Sequence, residues 1–303
     1  MATGSAVKTY IAQLKKSYDT LRKGKDALLA IIDEADVPES VYNSNAIENS
    51  TLTLKETERI LMELEVSRKI SFREVFEAKN LARVIEYTRE KSIRTDLTLD
   101  LVVFLHRMLL SHINDKVAGR MRTAGEYVRI GTFIAPPPEH VGRLMDELFI
   151  EYNSDLTSYF LDKIARFHLG FETIHPFGDG NGRIGRVIMN YQLLRLGFPR
   201  ITIRDKEKVT YYRAFVEFRD DKKTRTMERV IDLALMESLH KRIAYLHGES
   251  IVPLSDAIRK KSVSASAILN AARRQTIPAF REKGIWKIGA TVPLTVGVKK
   301  EEE

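Results

Sequence analysis

The chain has 303 residues, of which 44% are apolar and 30% charged, enough for one large domain or for a main domain with an appendage. The absence of cysteine excludes a disulfide framework and a thiolate metal site. The net charge of +8 is uneven, since residues 251–300 carry ten Lys or Arg against two acidic residues, which indicates a polyanionic partner for that end.

The N-terminal part has no signal-like apolar region, and the apolar run at residues 27–32 is far too short to span a membrane. We therefore expect a cytoplasmic protein without a membrane partner. The first predicted element is a helix over residues 6–35, which Pro38 is expected to end. Its apolar face is formed by Tyr10, Leu14, Tyr18, Leu21 and Leu28.

The next feature is the segment Ser44-Asn45-Ala46-Ile47-Glu48-Asn49. Ser44 can cap a helical turn, and Glu48 lies four residues later on the same side. A surface helix would show the same pattern, so these residues alone do not establish a function. Downstream, Thr53-Leu54-Lys55-Glu56 is a capping box that predicts a helix through Leu64.

The middle of the chain predicts amphipathic helices at residues 72–88, 99–110 and 141–152. His106 and His112 are interpreted as structural or surface residues. Between the last two helices, residues 125–131 alternate in a β-like pattern and lead to a turn glycine and three prolines. This predicts a hairpin, either a short stabilising element or one whose open edge docks an extended peptide.

Residues 175–186 read His-Pro-Phe-Gly-Asp-Gly-Asn-Gly-Arg-Ile-Gly-Arg and lie between two predicted apolar helices. Gly178, Gly180 and Gly182 allow positive φ and close approach to a ligand. Unpaired N–H groups at the start of the following helix, together with the helix dipole, form an anion site. Arg183 and Arg186 are three residues apart, so we expect both to point from one helical face towards that site.

Asp179 would repel a bound phosphate unless a divalent cation lay between them, and Mg²⁺ held by one carboxylate plus phosphate oxygens is the natural candidate. His175 adds a titratable base next to the phosphates. Together these residues indicate nucleotidyl or phosphoryl transfer.

Other interpretations of this stretch are weaker. Residues 180–185 match the dinucleotide fingerprint, but no strand precedes them and no βαβ unit surrounds them. A Walker A loop would need Lys followed by Ser or Thr. His168, Glu172 and His175 have helical spacing and could mimic a zinc site, but a core histidine on an apolar face explains His168 better.

The C-terminal part predicts a helix from about residue 206, a helix at 227–245, and then a separate small unit. This unit has short helices at 254–258 and 265–274 around a turn at 262–264, followed by a hairpin over residues 277–288. Helix, turn, helix and wing resemble the excisionase or MerR-like helix-turn-helix, which implies DNA as a partner, with protein binding or simple docking as the alternatives. The residues expected to face phosphates are Arg273, Arg274, Lys283 and Lys287.

Residues 175–186 resemble the signature of the Fic family: His-Pro-Phe, an acidic residue, Gly-Asn-Gly-Arg and a final Arg. Every diagnostic position is matched. Most of the family transfers AMP from ATP to a hydroxyl side chain of a target protein. The resemblance therefore implies ATP as co-substrate, Mg²⁺ as cofactor, and a flap hairpin that positions the target segment over the nucleotide.

The resemblance also implies roles for single residues. His175 would deprotonate the target hydroxyl, and Asp179 would hold Mg²⁺. Tyr211 would lie near the adenine, with a core aromatic as the competing interpretation, and Arg219 departs from the asparagine that some relatives carry near the base. The nucleotide-binding residues implied are Gly180, Asn181, Gly182, Arg183, Arg186, Val128, Arg129, Ile130, Gly131 and Tyr211.

Ser44, Glu48 and Asn49 resemble the family's inhibitory sequence, which is Ser or Thr, three residues, Glu, then Gly or Asn. In such proteins the glutamate pairs with the last arginine of the signature, here Arg186, and blocks productive placement of the γ-phosphate. Such competition is physically plausible, because a carboxylate and a phosphate both bind the N–H donors of one guanidinium group. The upstream position implies the class whose inhibitory helix is N-terminal and in the same chain.

We thus predict an all-α protein, a Fic-type helical bundle with a β-hairpin flap and a small C-terminal winged helix-turn-helix domain. The predicted boundaries are 1–60 for the N-terminal helices with the inhibitory helix, 61–247 for the catalytic core, 250–290 for the winged domain and 291–303 for a tail.

The leading functional hypothesis is an ATP- and Mg²⁺-dependent protein adenylyltransferase restrained by Glu48. A second hypothesis keeps the same site for removal of AMP from a modified target, or for transfer of another phosphate-containing group. A third is a DNA-binding regulator that senses nucleotide, against which the intact His175 and Asp179 argue because a sensor needs no base. The expected partners are a target protein docked on the flap, with DNA and a second copy of the chain left open.

Overall fold

Helices account for most of the chain in the computed structural model, which describes residues 3–66, 68–259 and 263–294. In chain order the elements are α1 (Ser5–Leu21), α2 (Asp26–Ala35), α3 (Val37–Ile47), α4 (Leu54–Leu61), α5 (Phe72–Lys91), α6 (Leu99–Leu110), β1 (Arg129–Ile130), β2 (Phe133–Ile134), α7 (Pro138–Ser154), α8 (Phe160–Ile174), α9 (Asn181–Arg195), a 3₁₀ turn (Asp205–Glu207), α10 (Lys208–Asp221), α11 (Arg225–Leu246), β3 (Ile251–Pro253), α12 (Leu254–Arg259), α13 (Ala265–Arg273), β4 (Phe280–Glu282) and β5 (Ile285–Gly289). None of the described helices is long and apolar enough to cross a lipid bilayer.

The chain divides into two compact units. The first contains Asp36–Ile231 together with Thr3, and the second contains Gly4–Ala35 and the described residues from Asp232 onward. The predicted domain boundaries stay a prediction. The compact units fall differently, because residues 4–35 belong with the C-terminal part.

The first unit is a helical bundle, as predicted. α8 packs against α9 and α5 against α6. One apolar core joins these helices, and its most buried members include Leu81, Leu105, Phe171, Ile184 and Tyr191. This core fixes the ends of α8 and α9, so the polar loop between them is held on a rigid base.

The N-terminal helix prediction was wrong in one respect. Residues 6–35 form two helices, because the chain turns at Gly24, whose φ of +70° lies in the left-handed region that glycine adopts easily. Pro38 does not end a helix either. It lies in the first turn of α3, where its missing N–H costs no hydrogen bond.

The capping box is confirmed by both of its hydrogen bonds. Thr53 Oγ1 accepts from the Glu56 N–H at 3.2 Å, and Glu56 Oε2 accepts from the Thr53 N–H at 2.8 Å. The helix that it opens ends at Leu61 rather than Leu64, and Glu63 beyond it has a φ of +58°. The predicted helix at 99–110 matches α6.

The flap hairpin is confirmed but is shorter than the alternation suggested. β1 pairs with β2 in antiparallel register, with Arg129 opposite Ile134 and Ile130 opposite Phe133. Gly131 makes the turn with a φ of +60°. The Arg219 guanidinium of α10 lies over the Phe133 ring, 4.5 Å from its centroid, so the hairpin packs against α10.

The second unit contains a three-stranded antiparallel sheet in the order β3-β5-β4. The β4–β5 hairpin agrees with the hairpin predicted at 277–288, whereas β3 was not predicted. α12 and α13 cover a small core that includes Leu254, Ile268 and Ile288. The helix-turn-helix identity of this region stays a prediction, and part of its turn (residue 262) and of the tail (residues 295–303) lies outside the described residues.

Candidate functional site

The glycine turn begins where α8 ends. His175 caps α8 with a φ of +51°, and Gly180, with a φ of +81°, caps the start of α9. The Asn181 side chain closes the loop between them, since its Oδ1 accepts from the Phe177 N–H at 2.9 Å and its Nδ2 donates to the Phe177 carbonyl at 2.8 Å. Asn181 was predicted to bind nucleotide, and here its side chain holds the turn in shape.

The His175 imidazole is oriented by the end of its own helix. Its Nδ1 lies 3.3 Å from the Glu172 carbonyl oxygen, which can only accept, so Nδ1 carries the proton and Nε2 keeps a lone pair. Burial is the main cause that lowers the pKa of His175, to about 4. The imidazole is therefore neutral at pH 7, as a general base must be.

A single buried arginine braces this end of α8. Arg122 donates from Nε to the His175 carbonyl at 2.8 Å and from Nη2 to the carbonyls of Ile174 and Pro136 at 3.1 and 3.0 Å. Nη1 donates to the Glu126 carbonyl at 3.0 Å. Arg122 thus ties the segments on both sides of the flap hairpin to the backbone of the predicted base.

Glu172 lies one helical turn before His175 and is buried with it. Its Oε2 is 3.8 Å from His175 Nδ1. Burial, reinforced by the nearby Glu48 carboxylate, raises the pKa of Glu172 to about 8. The Nε2 atom of His168 on the same helix is 2.7 Å from the Tyr211 hydroxyl.

The predicted pair between Glu48 and Arg186 is present. Arg186 Nη2 donates to Glu48 Oε1 at 2.9 Å and to the Ser44 carbonyl at 2.8 Å, while its Nε donates to Ser44 Oγ at 2.9 Å. A Cβ atom at Gly182 would clash with Glu48 Oε1, so glycine at this position lets the carboxylate lie against the turn. Asn49 follows with a φ of +67°, a conformation that asparagine and glycine tolerate best.

The Asp179 carboxylate is bound by two guanidinium groups. Arg73 Nη2 is 2.6 Å from Oδ2, and Arg183 Nη2 is 3.1 Å from Oδ1. Glu77 bridges the two arginines, at 3.0 Å from Arg73 Nε and 3.1 Å from Arg183 Nη1. Burial opposes ionisation of Asp179, but the two arginines and the Gly180 amide outweigh it and lower the pKa of the carboxyl.

The residues around Asp179 fit a cation that arrives with a ligand. In residues 3–66, 68–259 and 263–294, no cluster of three or more acidic or histidine side chains could hold a metal on its own. Mg²⁺ is commonly bound by one or two carboxylates plus substrate phosphates, so a single carboxylate beside an anion site suits it. Asp179 would have to exchange Arg73 for such a cation.

A cavity of about 430 Å³ lies over the turn. Its walls include Glu48, His175, Asp179 and Arg183, so the structure brings together residues that are 135 positions apart in the chain. Val128, Arg129, Ile130 and Gly131 are on the flap and do not line this cavity. Pockets of a few hundred Å³ are the usual size for ligands of the nucleotide class.

Tyr211 lies in the interior rather than on the cavity wall. Its side chain is 1% exposed, and its hydroxyl accepts from Arg186 Nη1 at 3.5 Å as well as contacting His168. This placement favours the core-aromatic interpretation over the adenine contact. Tyr211 packs behind the arginine that Glu48 holds.

Residues 96–193 match the Fic/DOC family. This chain belongs to the Fic family. A protein adenylyltransferase Fic from Nematostella vectensis is 31% identical over 233 residues, covering 71% of this chain and 50% of the relative. Its counterpart from Aedes aegypti is 29% identical over 294 residues, covering 87% and 58%. The chain thus spans about half the length of the curated relatives it matches.

The Fic fold is also found among solved structures. A Fic domain-containing signaling protein from Bacteroides thetaiotaomicron superposes with a TM-score of 0.72 at 26% identity, over 79% of this chain and 97% of that one. A Fic family protein from Desulfovibrio desulfuricans has the same fold, with a TM-score of 0.68 at 20% identity over 97% of this chain and 99% of that one.

Sequence reasoning missed four residues that shape this Fic site: Arg73, His106, Arg122 and Glu172. Glu172 had a signal in its helical spacing from His168 and His175, although it was considered only as a metal ligand. Arg73, His106 and Arg122 reach the site from segments distant in sequence, and no pattern in the neighbouring residues marks them. His106 in particular is fully buried beneath the turn, and burial lowers its pKa to about 4.

Proposed function

We propose that the chain is a protein adenylyltransferase that transfers AMP from ATP to a hydroxyl side chain of a target protein. The observation that carries this proposal is a neutral, oriented His175 beside a glycine turn at a helix N-terminus, with Arg183 and Arg186 on the same helix. Relatives that match most of this chain are named protein adenylyltransferase, which supports the same reaction class.

In the proposed mechanism, the target hydroxyl oxygen attacks the α-phosphorus of ATP and its proton passes to Nε2 of His175. The bond between the α-phosphorus and the bridging oxygen breaks, and pyrophosphate leaves. Main-chain amides from Gly180 to Gly182 would bind the α- and β-phosphates, and Arg183 and Arg186 the β- and γ-phosphates. Asp179 would hold Mg²⁺, which neutralises phosphate charge when bound.

We further propose that Glu48 restrains the enzyme. Arg186 is buried and its fork is filled by Glu48 and Ser44, so a γ-phosphate has to displace the carboxylate to reach the same donors. Glu48 is accessible from the cavity, with its side chain 36% exposed, so the ligand can reach it.

The test is intact mass spectrometry of the full chain after incubation with ATP and Mg²⁺. We expect Glu48→Gly to gain adenylate and wild type to gain much less. Combining Glu48→Gly with His175→Ala should abolish the gain, and the matched variant with His112→Ala, a histidine that does not line the cavity, should keep it. Absence of any adenylate on Glu48→Gly, with added candidate targets also unlabelled, contradicts the proposal.

One alternative uses the same site in the reverse sense. Because the Glu48 carboxylate borders the cavity, it could orient a water molecule for release of AMP from a modified target. Incubating adenylylated protein with Mg²⁺ and following free AMP separates the two reactions, since only removal depends on an intact Glu48.

The partners and location stay predictions. A target segment would dock on the flap, whose β1 and β2 have open edges.

DNA binding by residues 250–290 would use the exposed Arg273 and Arg274, whereas Lys287 pairs with Glu282 at 2.6 Å. A gel shift with and without Arg273→Ala tests this, and size-exclusion chromatography tests the dimer. The cytoplasmic location is tested by fractionation.

A further inference from the structure

His106 in α6 is fully buried beneath the glycine turn and does not line the cavity above it. Its ring stacks on the Phe177 ring, with centroids 3.8 Å apart and planes 7° from parallel. Two main-chain groups lie within hydrogen-bond distance of its ring nitrogens. The Gly119 N–H is 3.0 Å from Nδ1, and the Asp179 carbonyl oxygen is 2.9 Å from Nε2.

These two contacts fix the proton on the ring. An amide N–H can only donate, and a carbonyl oxygen can only accept. Nδ1 therefore carries the lone pair that receives the Gly119 N–H, and Nε2 carries the proton that is donated to Asp179. One tautomer of the neutral imidazole satisfies both groups.

The hydrogen bond to Asp179 also sets the direction of the next amide. The Asp179 carbonyl and the Gly180 N–H belong to one trans peptide and point to opposite sides of it. Because the carbonyl turns inward to His106, the Gly180 N–H turns outward to the cavity that Gly180 lines. The same orientation lets the Gly180 N–H donate to the Asp179 carboxyl, a contact that helps to lower the pKa of that carboxyl.

Glycine at position 180 does not by itself restrict the peptide before it, because glycine has a permissive conformational range. The hydrogen bond from His106 therefore holds this orientation from below, and the contact of the Gly180 N–H with the Asp179 carboxyl supports it from the cavity side. A rotated peptide would present its carbonyl oxygen, a partial negative charge, to an incoming phosphate.

We propose that His106 is a positioning residue that orients the Asp179–Gly180 peptide so that the Gly180 N–H binds a nucleotide phosphate. It acts through the peptide and touches neither ATP nor the target. This inference rests on the proposed function, because it takes the anion over the turn to be the phosphate chain of ATP.

The test compares His106→Leu with His106→Gln in the full chain. Both replacements fill a similar volume, but only glutamine offers an N–H for the Asp179 carbonyl. Titration calorimetry with the non-hydrolysable analogue AMPPNP and Mg²⁺ should give a Kd weakened roughly tenfold to a hundredfold for leucine, the effect of one charge-assisted hydrogen bond. Glutamine should bind within about threefold of wild type.

The matched control is His240→Leu in the second unit. His240 is also buried, with one nitrogen 2.9 Å from the Tyr10 hydroxyl and the other 2.7 Å from Gln275 Oε1. Its replacement should lower the thermal unfolding temperature and leave the AMPPNP affinity unchanged. A purely structural role for His106 would give the same result as this control.

A spectroscopic readout isolates the peptide itself. Asp179–Gly180 is the sole Asp-Gly dipeptide in the sequence, so labelling aspartate with ¹³C at the carbonyl and glycine with ¹⁵N gives one selectable amide signal. This signal should shift on addition of AMPPNP and Mg²⁺ in wild type and His106→Gln, and stay in place in His106→Leu. In steady-state assays on the Glu48→Gly background, His106→Leu should raise KM for ATP more than it lowers kcat.

The outcomes separate the two proposals. If wild type binds AMPPNP and a folded His106→Leu binds it equally well, the role of His106 is overturned and the proposed function stands. Equal losses in the leucine and glutamine variants also overturn it, because packing would then be the cause. If wild type and Glu48→Gly both fail to bind AMPPNP, the proposed function fails and the role of His106 fails with it.

Discussion

Replacing Arg73 with alanine should strengthen metal-dependent nucleotide binding. Arg73 places its guanidinium on Asp179 Oδ2 at 2.6 Å, the carboxylate expected to hold Mg²⁺. A cation and a guanidinium compete for the same oxygen, so the arginine has to leave before the metal can bind. Arg73 comes from α5, outside the signature.

The magnitude follows from exposure. The side chains of Arg73 and Asp179 are 54% and 29% exposed, so solvent screens the pair. Pairs of this kind contribute up to about 1 kcal/mol, which corresponds to roughly a fivefold change in affinity. The effect should shrink as the salt concentration rises.

The assay is the Kd of AMPPNP by calorimetry, measured with Mg²⁺ and again with EDTA. We expect Arg73→Ala to lower the Kd about fivefold with Mg²⁺ and not with EDTA. The Kd of Arg73→Lys should fall between those of wild type and Arg73→Ala. Lysine keeps the positive charge but lacks the planar guanidinium that can bind two acceptors at once. Arg68→Ala is the matched control, since Arg68 pairs with Glu56 at 2.6 Å and does not line the cavity. A Kd with Mg²⁺ that is unchanged or higher in Arg73→Ala refutes the competition.

Three further predictions concern other parts of the molecule. Because burial lowers the pKa of His175 to about 4, adenylylation by Glu48→Gly should be flat from about pH 5.5 to 7.5 and fall only at lower pH, rather than near the usual histidine value of about 6.5. Arg122→Lys removes most of the guanidinium N–H donors and leaves buried carbonyl oxygens without hydrogen bonds. Activity should therefore drop more than tenfold, and the unfolding temperature should fall by several degrees. In the second unit, burial opposes ionisation of Glu282, but hydrogen bonds from Lys241 and Lys287 outweigh it and lower its pKa to about 2. The Glu282 carboxylate therefore contributes to folding stability above its unfolded pKa of about 4.5, and this contribution is lost as the pH falls towards 2. Denaturant titrations should accordingly show less acid destabilisation in Glu282→Gln than in wild type.

The parts of the site that could be predicted are those whose chemistry is local in sequence. Residues 175–186 carry the histidine predicted to act as a base, the carboxylate, the glycines and the arginines on one loop and the helix that follows it. The capping box at Thr53 is local in the same sense, and both of its bonds are present. The pair between Glu48 and Arg186 is not local, and it was reached through resemblance to a family rather than through spacing.

The parts that could not be predicted depend on contacts between distant segments. Arg73 reaches Asp179 across 106 positions, and His106 reaches it across 73. Neither residue stands in a pattern that distinguishes it from other arginines or histidines on amphipathic helices. Tyr211 shows the opposite difficulty, because its type and position suited a ligand contact, yet its ring is buried in the packed interior.

The contact between Glu48 and Arg186 joins two points of one chain that are 138 residues apart. An intramolecular contact of this kind has an effective concentration set by the intervening fold, not by the amount of protein in solution. Dilution therefore leaves the pairing of Arg186 with Glu48 unchanged. Under the proposed restraint, a partner would raise activity by moving α3 and Glu48 away from the turn or by displacing the Glu48 carboxylate from Arg186. Cleavage between residues 48 and 53 would convert this tethered contact into one between separate fragments, which dilution would then weaken.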